Sequence, residues 1–189
     1  MRARGTLFWN RTLPTSTSSF ISEDGSEPMK PVIQETAVKT VITKSNLPVC
    51  DYSVNPYVGC THACKYCYAS FMKRFTGHAE PWGTFLDVKH WESIKNPGKY
   101  CGKEFFIGSV TDPYNPQEAE YKRTRAFLEQ LQGSGAKISI QTKSDLVLRD
   151  MDLITTFPDA RVGFASILWM RTSKTIWTRR SASSAVWRP

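Results

Sequence analysis

Nowhere in the chain do about 18 apolar residues run together, so the sequence holds no helical span able to cross a bilayer. The marks of a disulfide-stapled secreted fold are missing too. The five cysteines are an odd number, no secretory signal is visible, and 189 residues are enough for an ordinary core. A structural zinc site usually pairs two C-x2-C-like halves across a longer loop, and no second half exists. Acid is absent from residues 167–189, which hold five basic residues and half of the six tryptophans. Residues 1–28 balance three Arg against three acids, so only +3 of the net +8 belongs to residues 29–166. The basic signal sits mostly in the tail and is weak ground for a nucleic-acid partner of the core.

Residues 1–28 have little from which to build a core beyond Leu7-Phe8-Trp9, and Ser, Thr and Gly dominate the rest. They read as a disordered extension, with Met29 a plausible true start. The alternative is a transit peptide, suggested by Arg2, Arg4, Arg11 and the Ser/Thr run, until Glu23, Asp24 and Glu27 end the pattern. One core is expected over 29–166, followed by a disordered tail over 167–189 without clean periodicity.

What is present is concentrated in Cys60-Thr61-His62-Ala63-Cys64-Lys65-Tyr66-Cys67, three thiols in the spacing C-x3-C-x2-C. Thiolates this close share a metal or a cluster, or they oxidise. Three suit an iron–sulfur cluster. If protein holds only three irons of a four-iron cluster, the fourth is open to a substrate, by the logic of an incompletely ligated catalytic metal. The rival is zinc, with His62 inside the motif and Cys50 or Cys101 as a further ligand. A helical His62 would point away from Cys60 and Cys64. Cys101 reads as an ordinary unpaired cysteine or an auxiliary ligand.

Along the core, residues 36–49 read as an extended lead-in and 53–58 as the first core strand, with Pro56 near its end. A helix is expected over 68–75, stopped near Gly77, then a turn at Pro81-Trp82-Gly83 and a strand over 84–89. Residues 90–103 read as loop or ragged helix broken by Pro97-Gly98, and His78 and His90 receive no role. The apolar run 105–110 looks like a buried parallel strand. A helix over about 117–132 ends at Gly133, a strand covers 137–142, a helix about 146–157, and the last strand 161–166. This rhythm implies right-handed βαβ units, an α/β fold with a parallel sheet. Polar groups follow each strand, where a βα barrel keeps its active site. That face would gather Cys60, Cys64, Cys67, Ser109, Thr111, Asp112, Thr142, Lys143 and Ser166; singly, each polar residue also reads as a cap or turn residue.

The cysteine spacing resembles that of the radical S-adenosylmethionine (radical SAM) enzymes. The likeness is wider than the cysteines. Asn55-Pro56-Tyr57-Val58-Gly59-Cys60, Cys67-Tyr68-Ala69, Phe71 to His78, Thr111-Asp112-Pro113-Tyr114 and Thr142-Lys143-Ser144 resemble the spore photoproduct lyase-like branch. Within that branch the sequence is most similar to the radical SAM mobile pair protein B group. The resemblance implies a six-unit partial βα barrel, of which this chain would supply about four units. It also implies that Cys60, Cys64 and Cys67 hold a 4Fe–4S cluster and that S-adenosylmethionine (SAM) is reductively cleaved to a 5′-deoxyadenosyl radical. Tyr66 would flank the adenine, Ser109 would lie near the SAM amino acid group, and Lys143 would pair with its carboxylate, a fitting task for an ammonium. Ser166 would be a further contact, and Thr111 and Asp112 belong to the same cofactor-binding face. An external electron donor is implied, and a reducing cytoplasm is the expected compartment. The photoproduct lyases carry a further cysteine hydrogen donor and a DNA-binding C-terminal region. This sequence stops before either, so thymine-dimer repair is not carried over and the substrate stays open.

The tail has two readings. Trp169-Met170, read two bases later, necessarily contains an Asp codon, and so does Ile176-Trp177-Thr178. The shifted frame can spell an acidic stretch resembling the family's continuation, which points to a frameshift near residue 166 and leaves the last strand with an unpaired edge. The alternative is a genuine basic tail with aromatic stacking residues. The chain would then be a non-catalytic zinc or nucleic-acid-binding module.

Overall fold

In the computed structural model, which describes residues 30–164 and 177–179, short β-branched and aromatic runs form the strands. These are β1 (Val32–Ala37), β2 (Ile42–Lys44), β3 (Tyr52–Val54), β4 (Tyr57–Gly59), β5 (Phe85–His90) and β6 (Glu104–Ile107). Helices α1 (Glu118–Tyr121) and α2 (Arg123–Leu131) lead to β7 (Lys137–Thr142), and α3 (Met151–Ile154) to β8 (Ala160–Phe164). β9 (Trp177–Arg179) is the last described strand.

The larger sheet has the order β2-β3-β6-β7-β8-β9, and its four middle strands are mutually parallel. A smaller sheet, β1-β5-β4, holds β1 parallel and β4 antiparallel to β5. The expected α/β class and its parallel strands are therefore present. Register then fixes the site's address. Val54 is opposite Ile107, Ile107 opposite Ile140, and Thr142 opposite Phe164, so the C-terminal ends of the four parallel strands open on one edge. Ser109 and Lys143 follow directly from those ends. Ser166 lies outside the described residues.

The principal core lies around this sheet. Phe105, Ile107, Ile138 and Ile140 from the strands are buried with Phe127, Leu128 and Leu131 of α2. Positions 127, 128 and 131 share one face at helical spacing, and each such side chain contributes about 1.5–3 kcal/mol on burial. A smaller core of Tyr57, Leu86 and Val88, with Tyr121 against it, belongs to the second sheet.

Several local expectations change. The strand expected at 53–58 is two strands in two sheets. Pro56 cannot donate to a ladder, and Asn55 turns its amide to the neighbouring strand end: Val110 N donates to its Oδ1 at 3.1 Å, and its Nδ2 donates to Ser109 Oγ at 2.9 Å. The expected lead-in over 36–49 contains the end of β1 and the whole of β2, which pairs antiparallel with β3. The helix expected over 117–132 breaks at Lys122, whose φ of 50° is left-handed. That turn lets the Glu118 carboxylate accept from Thr124 N at 3.0 Å and Arg125 N at 3.2 Å, satisfying orphan donors at the start of α2. The helix expected over 146–157 starts as a 3-10 helix at Asp145–Asp150, where Ser144 Oγ accepts from Leu146 N, and continues as α3. Residues 177–179, expected in a disordered tail, form β9 antiparallel to β8. The open N–H and C=O groups at the β8 edge explain why a strand is accepted there.

Candidate functional site

The cysteine loop leaves β4 through Gly59, whose φ is +84°. A Cβ here would lie 2.5 Å from the Phe85 carbonyl oxygen, a backbone atom that cannot swing aside. Gly59→Ala is therefore expected to cost roughly 2–4 kcal/mol, from left-handed backbone plus overpacking. Gly77→Ala, also at positive φ but with nothing within 4 Å of its Cβ, is expected to lose only about 1–2 kcal/mol. Urea denaturation of the two variants checks this; equal midpoints would refute it. Further along, Gly83 has φ +103°, and a Cβ there would lie 2.8 Å from that of Ala63. The loop thus rests on this turn's bare backbone.

From Cys64 onward the chain winds in three-residue turns. Cys67 N donates to Cys64 O at 3.0 Å and Ser70 N to Cys67 O at 3.3 Å. The helix expected over 68–75 is accordingly a 3-10 helix, Tyr68–Phe75, ending at Thr76. It buries only Ala69 and exposes Tyr68, Phe71 and Phe75, with the Arg74 guanidinium over the last two rings at 5.7 and 4.7 Å.

All five cysteines are free thiols; Cys60 is buried, and Cys64 and Cys67 are half-buried. Burial pushes the Cys60 thiol up to about 11, so the unligated group is protonated at neutral pH and must lose its proton to ligate a metal. Among the described residues, no three His, Cys, Asp or Glu side chains are gathered as a metal-ion site. The donor set nonetheless fits an iron–sulfur cluster: three soft thiols, unbridged, on one eight-residue loop. Gathering them is a rearrangement within that loop. Cys50 and Cys101 precede β3 and β6 and so lie at the opposite ends of these parallel strands. Cys50 Sγ donates to Ser45 Oγ at 3.2 Å, and Cys101 is exposed.

Several contacts tie the loop to the chain that follows the strand ends. Thr111 Oγ1 donates to Gly59 O, Thr61 Oγ1 donates to Gln117 Oε1 at 2.6 Å, and Tyr68 OH donates to Ser109 O. His62, expected to point away if helical, lies in non-helical chain and sets its Nε2 3.3 Å from Asp112 Oδ2. Nε2 makes no hydrogen bond there, so the two groups meet by proximity alone.

Asp112 is buried and fully engaged by the chain. Oδ1 accepts from Thr142 Oγ1 at 2.7 Å and Tyr114 N at 2.9 Å, and Oδ2 accepts from Lys143 N at 2.7 Å. Burial alone would raise its pKa, but His62, Thr142 and Tyr114 outweigh burial and hold it below the usual carboxylate range. Lys143 reaches back across the loop: Nζ donates to Tyr66 OH at 3.2 Å and lies 4.9 Å from the ring centroid. Burial opposes its charge, but Tyr66, Cys64 and Asp112 raise its pKa and keep it an ammonium. Ser109 Oγ is 2.7 Å from Ser53 Oγ and accepts from Asn55 Nδ2. Tyr66 is 49% exposed.

Sequence reading had missed two features. His78 lies nearly buried between Glu80 and Asp87, with Nδ1 3.1 Å from Glu80 Oε2 and Nε2 2.8 Å from Asp87 Oδ1, and stacks on Phe85 at 4.0 Å. Burial works against its charged form, yet the two carboxylates raise its pKa. Only its closeness in sequence to Glu80 was a signal. The second is the polar core under the site. The Glu118 carboxylate, wholly buried, accepts from Tyr57 OH and from Arg149 Nη2 at 2.8 Å, while Arg149 also grips Asp150.

The class is thus an α/β protein with a three-thiol loop tied to the C-terminal ends of parallel strands. The sequence pattern of the Radical SAM superfamily matches residues 54–165, and the chain belongs to that superfamily. An uncharacterized protein of Methanocaldococcus jannaschii is 42% identical over 127 residues, covering 66% of this chain and 48% of that one. An uncharacterized protein of Acidianus two-tailed virus is 38% identical over 119 residues, 57% of this chain and 39% of its own. One of Mycobacterium tuberculosis is 30% identical over 135 residues, 65% of this chain and 38% of its own. The chain spans less than half the length of these relatives. No solved structure matches. Among the described residues, no helix is long and apolar enough to cross a membrane.

Proposed function

We propose that the chain is the cluster-bearing part of a radical SAM enzyme of the spore photoproduct lyase-like branch, most similar to mobile pair protein B, with its parallel strands forming part of a βα barrel. Cys60, Cys64 and Cys67 would hold a 4Fe–4S cluster, leaving one iron for SAM. When bound, the cluster supplies the electron, drawn from an external donor, that cleaves SAM to a 5′-deoxyadenosyl radical. The chain's own residues bind and orient. Lys143 would pair with the SAM carboxylate, Ser109 would lie near the amino acid group, Tyr66 would flank the adenine, and Ser166 would add a further contact. Thr111 shapes the entrance to the loop through Gly59, and Asp112 shapes the far side through Lys143.

The observation that supports this reading is the meeting of Lys143 with Tyr66, a residue between two of the three cysteines, 77 positions away in sequence. It brings an ammonium to the loop's own side of the sheet, where an amino acid carboxylate bound beside the cluster needs one. The test is anaerobic reconstitution with iron and sulfide, then SAM and dithionite. The expected result is 5′-deoxyadenosine above the protein-free background. A chain that takes zinc tightly and no iron would instead be the non-catalytic module, and one that binds iron without yielding 5′-deoxyadenosine would be an inactive fragment.

A further inference from the structure

Ser109, Thr111 and Asp112 all touch the cysteine loop or the helical turn that follows it, but Asp112 also touches the end of β7. Its carboxylate oxygens meet four groups from three segments: His62 on the loop, Tyr114 N in its own turn, and Thr142 Oγ1 and Lys143 N on the strand end. With three hydrogen bonds and the close approach of His62 on a group that is 9% exposed, little of this carboxylate is left for a ligand.

We propose that Asp112 is a positioning residue, which sets the Lys143 ammonium at a fixed reach from the cysteine loop and acts on the cofactor only through that placement. The inference rests on the cluster-and-SAM reading above and deepens it. The physical reason is that Asp112 holds the backbone from which the lysine springs. A flexible four-carbon stem finds one carboxylate reproducibly only when its root does not wander, so binding depends on how firmly Lys143 N and Thr142 are held. The same Oδ2 also faces His62 at 3.3 Å, which references that root to the cysteine loop rather than to the sheet alone.

Two substitutions isolate this role. In Asp112→Asn an amide nitrogen can take the place of Oδ2 and face the Lys143 N–H, setting donor against donor. Thr142→Val keeps the buried shape and deletes the hydrogen bond to Oδ1, together with the one that Thr142 Oγ1 accepts from Ser144 N at 3.0 Å. The measurement is calorimetric titration of SAM into the anaerobically reconstituted, oxidised full chain, with iron per chain determined on the same samples. Asp112→Asn is expected to weaken SAM at least tenfold at unchanged iron content, and Thr142→Val about threefold. In a Lys143→Ala background, Asp112→Asn is expected to add less than twofold, because the group it places is already gone.

An affinity within twofold of wild type in both single variants would overturn the proposal. So would a full tenfold loss persisting in the Lys143→Ala background, which would mean that Asp112 acts directly. Iron lost in step with affinity would reduce Asp112 to a support of the loop's fold and equally overturn it. Should Asp112→Asn not fold, Thr142→Val alone against Lys143→Ala decides by the same non-additivity. A wild-type chain that takes up no iron sinks the underlying reading, an outcome distinct from a loaded wild type whose variants bind SAM normally.

Discussion

Cys60→Ala, Cys64→Ala and Cys67→Ala are each expected to abolish cluster uptake, from about four irons per reconstituted wild-type chain to fewer than about one. The size of the effect follows from the donor count. If the three loop thiolates are the cluster's protein ligands, the two left in each variant cannot hold the cubane against solvent and oxidation. Cys50→Ala and Cys101→Ala are expected to leave iron content unchanged, because both precede strands whose opposite ends carry the site. Iron and sulfide analysis with Mössbauer spectra checks the series. A wild-type-like spectrum in any of the three loop variants, or loss of the cluster in Cys101→Ala, would contradict the assignment.

Arg149→Ala is expected to be the most destabilising single charge deletion in the core, at about 3–5 kcal/mol. Arg149 donates Nε to Asp150 Oδ1, Nη2 to Asp150 Oδ2 and Glu118 Oε1, and Nη1 to the Glu118 carbonyl, all within 2.9 Å. Both carboxylates are wholly buried while Arg149 is 25% exposed, so its removal takes the paired cation from Glu118 and leaves Asp150 with Arg125 alone. Arg125→Ala should cost less, about 1–2 kcal/mol, since Asp150 would keep Arg149 and the remaining partners of Arg125, Asp152 and Glu129, are exposed. Urea titrations of the two variants give the comparison. The pH dependence has a definite sign. Burial would raise the Asp150 pKa, but Arg149 and Arg125 outweigh it and hold it below the usual carboxylate range. The stability from this group is therefore present above its unfolded pKa and is lost as pH falls through the folded one. Arg149→Ala should flatten that acid limb of the stability curve, and an unchanged limb would count against the ion pair.

Much of this organisation was legible without coordinates. The apolar runs that became β6 and β7, the stop of α2 near Gly133 and the parallel rhythm all follow from local pattern, because period and turn chemistry are carried by neighbouring residues. The split at Asn55-Pro56 was half visible. Proline announced the end of a ladder, but nothing local could say that the chain would resume in another sheet, since that depends on Lys89 N donating to Pro56 O and on β5 being there to pair. Lys122 gave no sign of its left-handed turn. The reason for it, Glu118 capping the next helix while Tyr57 and Arg149 hold it from outside, involves residues up to 61 positions away.

The amino-acid sequence by itself determined the donor set, three thiols at fixed spacing on one loop, and the α/β class, because both depend on residues adjacent along the chain. Only the tertiary structure decided what the polar residues at the strand ends do. Asp112 and Thr111 read in the sequence as members of a cofactor-binding face, and parallel register adds what the sequence does not show, that Thr142, Lys143 and Gly59 lie against them, since a buried carboxylate takes whichever donors the fold delivers. His78 gained its place in the same way, when β5 laid Asp87 and Phe85 beside it. Local spacing fixes which atoms can react; long-range pairing fixes which of them are already occupied.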